Sequence, residues 1–395
     1  MQPPYELAYQ WVHVDAAEAG DATETYSFAG TGGRVRLDGV LIRPCGVASD
    51  TLFIFMHPAS ALQLLPVEVE TARLGGHVLC AGSRYARNET AAILEKVLLD
   101  LGAYVRAARE AWGYRKVVLV GWSAGGSLAL SYQAQAERPT LTRTAAGDPI
   151  SLAGLPPADA VVFQAAAVSR ARMLAEMIDP SPFDEANPDR RDPSLDLYAN
   201  GHGPAPPYAP LFLERYRDAQ LARMRRITDW VKTTLAGLEA AGGLERDRAF
   251  LVHRTLADPH FLDVAIEPND RRSNWCWLGN PAEVNAGPAG LARYSTLRAW
   301  LSQWSIEDSN IDAERAARSS AAPLLVVENS ADDCVPRAHL QAVHRASISA
   351  DKSYAVVEGA THYYAGQPDH LRRTVELTRA WLVERGLLEA VRLSA

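Results

Sequence analysis

Short, unbroken apolar runs are the feature that most restricts how this 395-residue chain can fold. Thr51 to Met56 (TLFIFM), His77 to Ala81 (HVLCA) and Lys116 to Val120 (KVVLV) lack the polar alternation of a strand with one wet face. Such runs belong to strands covered on both sides, as in a parallel sheet. Val35 to Ile42 alternates and reads as a further strand. Between the second and third runs, residues 91–111 place Leu94, Val97, Leu98, Leu101 and Val105 on one helix face. Gly126 to Ala136 reads as another helix and Ala160 to Phe163 as another strand. Strand and helix in regular alternation predict an α/β architecture, with a mostly parallel central sheet flanked by helices.

That rhythm stops near residue 166. A proline-rich stretch from Asp179 to Pro210 predicts irregular chain, followed by a long helix over Leu211 to Ala241 and another over Leu291 to Trp304. The rhythm resumes with strand Pro323 to Glu328, helix Arg337 to Ala346, strand Ser353 to Val357 and helix Pro368 to Leu388. The expected organisation is a sheet domain in two parts, 1–165 and 323–395, interrupted by a mainly helical cap at 166–322. A cap so placed would lie over the carboxyl ends of the strands, where open α/β sheets bind ligands.

The strongest motif is Gly121-Trp122-Ser123-Ala124-Gly125, between a buried strand and a helix. In that context a G-x-S-x-G run makes a nucleophile elbow. The turn is tight enough that side chains two places either side of the serine would collide, and glycine removes them. A serine hydroxyl is a weak nucleophile that needs a base, and the base needs an orienting carboxylate. Both follow in the chain just past strand ends. One segment is Asp332-Asp333-Cys334-Val335-Pro336, which offers two adjacent carboxylates, Asp332 and Asp333. The other is Gly359-Ala360-Thr361-His362.

On these motifs the chain resembles the α/β-hydrolase fold family, over about residues 35–165 and 320–388. The resemblance implies a serine hydrolase with Ser123 as nucleophile, His362 as base and Asp332, in its D-x-x-V-P context, as acid. It implies oxyanion donors at the N–H of Ala124 and in the loop after strand Thr51 to Met56. The family usually has His-Gly in that loop. This chain has His57-Pro58-Ala59-Ser60, and proline has no N–H. The expectation therefore falls on Ala59, with Ser60 behind it, and His57 is read as shaping the loop. The expected reaction is hydrolysis of a bulky, mostly apolar carboxylic ester or lactone. The same machinery would also serve thioester, amide or C–C cleavage, or acyl transfer, and a non-catalytic receptor on this fold is the alternative of another class.

Of the nine tryptophans, Trp230, Trp275, Trp277, Trp300 and Trp304 lie in the expected cap. Most are read as its core, with one or two as pocket lining. Trp122 is expected to pack behind the elbow. Met173, Met177 and Phe183 are expected to form an adaptable wall. Arg223, Arg225 and Arg226 are read as a solvated helix face.

Composition closes off other classes. With 48% hydrophobic and 22% charged residues, wholesale disorder is not expected. A net charge of −7 argues against a nucleic-acid partner. No apolar stretch of membrane-spanning length occurs, and residues 1–6 do not read as a secretion signal. The four cysteines show no CxxC pairing, which points to free, mostly buried thiols and a cytoplasmic setting. No metal or nucleotide motif is seen, so neither a metal nor a cofactor is expected. A homodimer is the default expectation for assembly.

Overall fold

The computed structural model describes residues 5–17, 22–25, 28–31, 34–58, 61–85, 88–199 and 202–389. The strands are β1 (Leu7–Ala17), β2 (Ala22–Thr25), β3 (Phe28–Thr31), β4 (Arg34–Pro44), β5 (Thr51–Met56), β6 (His77–Ala81), β7 (Lys116–Trp122), β8 (Ala160–Gln164), β9 (Ala249–Leu251), β10 (Tyr294–Thr296), β11 (Leu324–Asn329) and β12 (Lys352–Val357). Eight of them form one sheet in the order β1-β4-β6-β5-β7-β8-β11-β12. From β6 to β12 every pairing is parallel, while β1 and β4 add an antiparallel edge.

The helices are α1 (Pro66–Arg73), α2 (Leu94–Glu110), α3 (Ala124–Glu137), α4 (Arg170–Met177), α5 (Pro210–Ala241), α6 (Pro281–Ala286), α7 (Leu297–Gln303), α8 (Ala313–Ala317), α9 (Arg337–Ala346) and α10 (Pro368–Glu384). Strand β5 shows why its sequence lacks alternation. Leu52, Ile54 and Met56 join a core with residues of α2, α3, α8 and α9. Phe53 and Phe55 face the opposite way, into a core with residues of α1 and α10. Both faces are dry, so both demand apolar side chains.

Between β8 and β11 no strand among the described residues joins the main sheet. This segment builds a core of its own, in which Met224, Ile227 and Val231 of α5 meet Leu297, Trp300 and Leu301 of α7. It is pinned to α2 by a buried carboxylate: Glu95 accepts from the Ala145 N–H at 2.9 Å, the Ser302 hydroxyl at 2.6 Å and the Asn310 amide at 2.7 Å. Helix α8 already belongs to the layer of α3 and α9, through Ala313, Ala316 and Ala317. The chain thus rejoins the sheet domain before residue 322.

Several local expectations need correction. Leu291 to Trp304 is not one helix. Ala292 has φ 54°, Tyr294–Thr296 pair with β9, and only then does α7 start, with the Thr296 hydroxyl accepting from the Ala299 N–H at 3.3 Å. Helix α10 stops at Glu384 because Gly386, at φ 62°, turns the chain left-handed. Arg223 is fully buried, not solvated: its guanidinium pairs with Glu185 at 2.7 Å and donates to the Asp179 and His253 carbonyls. Strand β1 was not anticipated, although Val12, Val14 and Ala16 alternate with exposed Trp11, His13 and Asp15. Cys80, Cys276 and Cys334 are buried and Cys45 is exposed, all as free thiols.

Candidate active site

The turn from β7 into α3 holds Ser123 at φ 55°, ψ −130°, a conformation that a non-glycine residue adopts only when its surroundings force it. Those surroundings approach three glycines closely, two against backbone and one against side chains. A Cβ on Gly121 would lie 2.4 Å from the Gly126 Cα, and one on Gly125 would lie 2.4 Å from the Met56 carbonyl oxygen. On Gly126 it would strike Ala166 and the Phe163 ring. The third glycine lets α3 sit directly against β8.

Three strand ends converge on the serine. The Ser123 Oγ is 3.2 Å from His362 Nε2, and His362 Nδ1 is 3.0 Å from Asp332 Oδ2. The other oxygen of Asp332 accepts from the Cys334 and Val335 N–H groups, both at 2.8 Å, which locks the carboxylate plane. A carboxylate facing Nδ1 favours the tautomer with the proton there, leaving Nε2 to accept from the serine hydroxyl. Asp333 points elsewhere: its Oδ1 accepts from the His362 backbone N–H at 3.3 Å. It anchors the histidine loop while Asp332 meets the ring. Burial and the adjacent Asp332 raise the Asp333 pKa.

The histidine loop has further supports that the sequence reading missed. Asn329, last residue of β11, donates its amide to the Thr361 carbonyl at 2.9 Å. Its Oδ1 accepts from the Tyr364 hydroxyl at 2.9 Å, and that hydroxyl accepts from Gln164, last residue of β8, at 3.0 Å. A polar side chain ending an otherwise apolar buried run was the signal available for both.

Above the serine lies a cavity of about 170 Å³. The sheet domain lines it with His57, Glu89, Trp122, Ser123, Ala124 and Tyr363, and the segment after β8 adds Arg170, Met173, Trp277, Leu291 and Trp304. Larger hollows occur elsewhere, including an open groove of about 600 Å³ bordered by the outer side of α4, but it does not reach Ser123.

No family model and no curated protein sequence matches the chain. Solved structures do. The structure of DcsB in complex with its substrate analogue aligns with 97% of this chain and 100% of that one, at 12% identity and a TM-score of 0.52. The esterase domain of a Rhodothermus marinus protein covers 95% and 98% at 13% identity and a TM-score of 0.46. The alpha/beta hydrolase GrgF from Penicillium sp. sh18 covers 93% and 99% at 13% identity and a TM-score of 0.47. Together with the sheet order and the elbow, the full-length superposition on the first of these decides the architecture. The chain has the α/β-hydrolase fold.

Within this α/β-hydrolase fold, several lining residues depart from expectation. The Trp122 ring does not pack behind the elbow. It lies tilted against His362 with centroids 4.7 Å apart, approaches Tyr363 at 5.2 Å, and faces the cavity. Met173 lines the cavity, whereas Met177 is buried in the sheet-domain core and Phe183 is half-exposed on the surface. Trp277 and Trp304 reach the cavity, Trp300 fills the core around α5 and α7, and Trp230 and Trp275 sit at the surface. Ala59 and Ser60 lie outside the described residues.

The cavity's lining is mainly aromatic and aliphatic. Ligand pockets commonly enclose about 300–1,000 Å³, and this cavity is smaller. It also contains an ion pair, Arg170 with Glu89. Burial, with help from Arg170 and His362, lowers the His57 pKa to about 3, so His57 is a neutral wall at any working pH. Burial pushes the Cys334 thiol well above its ordinary range, so it does not compete with the serine as a nucleophile. Among the described residues no cluster of three or more His, Cys, Asp or Glu is arranged to hold a metal, and no helix is long and apolar enough to cross a membrane.

Proposed function

We propose that the protein hydrolyses carboxylic esters or lactones through an acyl-enzyme on Ser123. The observation that carries this reading is the 3.2 Å contact between the Ser123 hydroxyl and His362 Nε2 at a strained elbow. The hydroxyl oxygen attacks the ester carbonyl as its proton passes to Nε2. Asp332, receiving the Nδ1 proton in a hydrogen bond, stabilises the imidazolium that forms. His362 then gives its proton to the departing alkoxide. Water attacks the acyl-enzyme by the same route, releasing the acid and restoring Ser123.

The negative charge on the tetrahedral oxygen falls at the start of α3, where the Ala124 N–H and the helix dipole favour an anion. We assign the second donor to Ala59, on sequence grounds. Residues 166–322 are proposed to act as the cap that excludes water and selects substrate. The cavity's small volume favours a compact substrate over the bulky, apolar one suggested by the cap's length.

A fluorophosphonate probe tests the reading directly. It should label Ser123 and nothing else, and the Ser123→Ala protein should lose label and about 10⁴-fold or more of its turnover of aryl esters while unfolding at the wild-type temperature. Retained turnover in that variant removes the mechanism. A wild-type protein that binds esters yet takes up no label belongs to the receptor class instead.

A further inference from the structure

The turn that leads to His362 is held from the loop after β11. The Ser330 N–H donates to the Val357 carbonyl at 3.1 Å, and the Ala331 N–H to the Ala360 carbonyl at 3.0 Å. Between these two bonds Gly359, at φ 75°, turns the chain, and its N–H donates to the Ser330 hydroxyl at 2.8 Å. Ser330 is buried, and its hydroxyl carries one proton. That proton goes to Asp270 Oδ2, at 2.8 Å. A single oxygen therefore accepts from the histidine turn and donates to the segment between β8 and β11.

Asp270 belongs to a stretch that is fastened to the same loops by contacts of its own. Glu267 accepts from the Arg337 N–H at 2.9 Å, and the Trp277 N–H donates to the Asp333 carbonyl at 3.2 Å. Asp333 in turn accepts from the His362 N–H. Residues 267–277 thus form a strap across the loop after β11, separate from the Glu95 contacts. The Asp270 side chain lies at the surface and does not line the cavity above Ser123.

A lone serine hydroxyl rotates and can present its proton or a lone pair in several directions. A carboxylate that takes the proton fixes the rotation and turns a lone pair towards Gly359. It also strengthens that lone pair as an acceptor, because chained hydrogen bonds polarise one another. Without Asp270 the hydroxyl is free to turn, and the Gly359 N–H loses a fixed partner. His362 follows three residues later, with Nε2 at 3.2 Å from the Ser123 Oγ. Proton transfer needs that pair aligned, so a small shift of the turn slows the chemistry.

We propose that Asp270, acting through the Ser330 hydroxyl, is a positioning residue of the triad: it fixes the turn at Gly359 and so holds His362 at working distance from Ser123. This rests on the ester-hydrolysis reading above and adds two residues to the supports of that site. Neither one meets the substrate or takes part in proton transfer.

The test is a double-mutant cycle read in two ways: kcat and KM for para-nitrophenyl butyrate, and the rate at which a fluorophosphonate labels Ser123. Asp270→Ala, a change at the surface, should lower kcat and the labelling rate by about fivefold, with KM altered by less than about twofold. Ser330→Ala should lower both rates by about tenfold or more. Asp270→Asn keeps an acceptor oxygen and should recover most of the loss seen with alanine. In the Ser330→Ala background, Asp270→Ala should lower the rates by less than about twofold further, because both residues act along one path. Wild-type rates in Asp270→Ala overturn the proposal even if Ser330→Ala does not fold. A full Asp270→Ala loss in the Ser330→Ala background also overturns it, since Asp270 would then act elsewhere, and so does a loss carried by KM alone. Absence of label on wild-type Ser123 is a different result: it removes the hydrolase reading itself.

Discussion

Ser123 and Arg170 face one cavity from two sides, and different physics holds each side. On the sheet side, position comes from backbone. Three glycines clear a turn that no other residue type fits, two N–H groups clamp Asp332, and Asp333 and Asn329 hold the histidine loop by its main chain. On the other side, position comes from side chains. Arg170 lies between an aromatic ring and a carboxylate, and Trp277, Leu291 and Met173 fill the rest. Backbone-held geometry depends on a few small residues at set spacings. Side-chain-held geometry depends on partners distant in sequence. The contrast separates what local turns hold in place from what long-range packing holds in place.

The comparison is most exposed at Asp332 and Asp333. If the clamped carboxylate orients the imidazole, Asp332→Asn should lower kcat by about 10²–10⁴-fold, because the amide supports the wrong tautomer. Asp333→Asn, touching only a backbone N–H, should cost less than about tenfold. Equal losses in steady-state kinetics would show that the two carboxylates share the task.

A second test loosens one side from the other. Glu95 is fully buried and ties α2 to Ser302, Asn310 and Ala145. Glu95→Gln keeps the shape but replaces an acceptor oxygen by a donor, so at least one of the three bonds is lost. A destabilisation of about 2–4 kcal/mol is expected from chemical unfolding. Because the catalytic side has its own supports, KM for esters should rise more than kcat falls. The reverse pattern would mean that the two sides are not separately held.

The effect with least bearing on activity is expected from Glu68 on α1, which is buried with neither carboxyl oxygen hydrogen-bonded among the described residues. Burial raises its pKa from 4.5 to about 8. The folded form therefore binds a proton that the unfolded chain releases above about pH 4.5. Stability is undiminished below that pH and falls as pH rises towards 8, by a few kcal/mol in all. Glu68→Met should flatten this slope, with denaturant midpoints matching wild type near pH 4 and exceeding it near pH 8. Parallel slopes for the two proteins would show that Glu68 is solvated.

The same division explains what was legible in the sequence. Ser123 with its glycines, His362 and the two aspartates follow local rules of turn and strand end, and those rules together with the family resemblance singled them out. Asp332 over Asp333 followed from the D-x-x-V-P resemblance, and what the sequence hid is that two backbone N–H groups hold its carboxylate. Residues 291–304 read as one helix because apolar spacing hid the left-handed Ala292 and a short β pairing to residues 249–251. Arg223 read as solvated because its partner, Glu185, lies in the proline-rich stretch. Arg170 carries no sequence signal at all. Its partners sit 81 residues before it, at Glu89, and far after it, at Trp304.

The crowding around the elbow also limits how the protein can be altered. Positions 121, 125 and 126 have no room for even a methyl group, so their composition is frozen by architecture. Position 123 differs: its backbone is already bent and its side chain opens into the cavity. Position 123 is thus open to exchange, and replacing the Ser123 oxygen with sulfur would change what the turn presents to the cavity while leaving the glycine scaffold untouched.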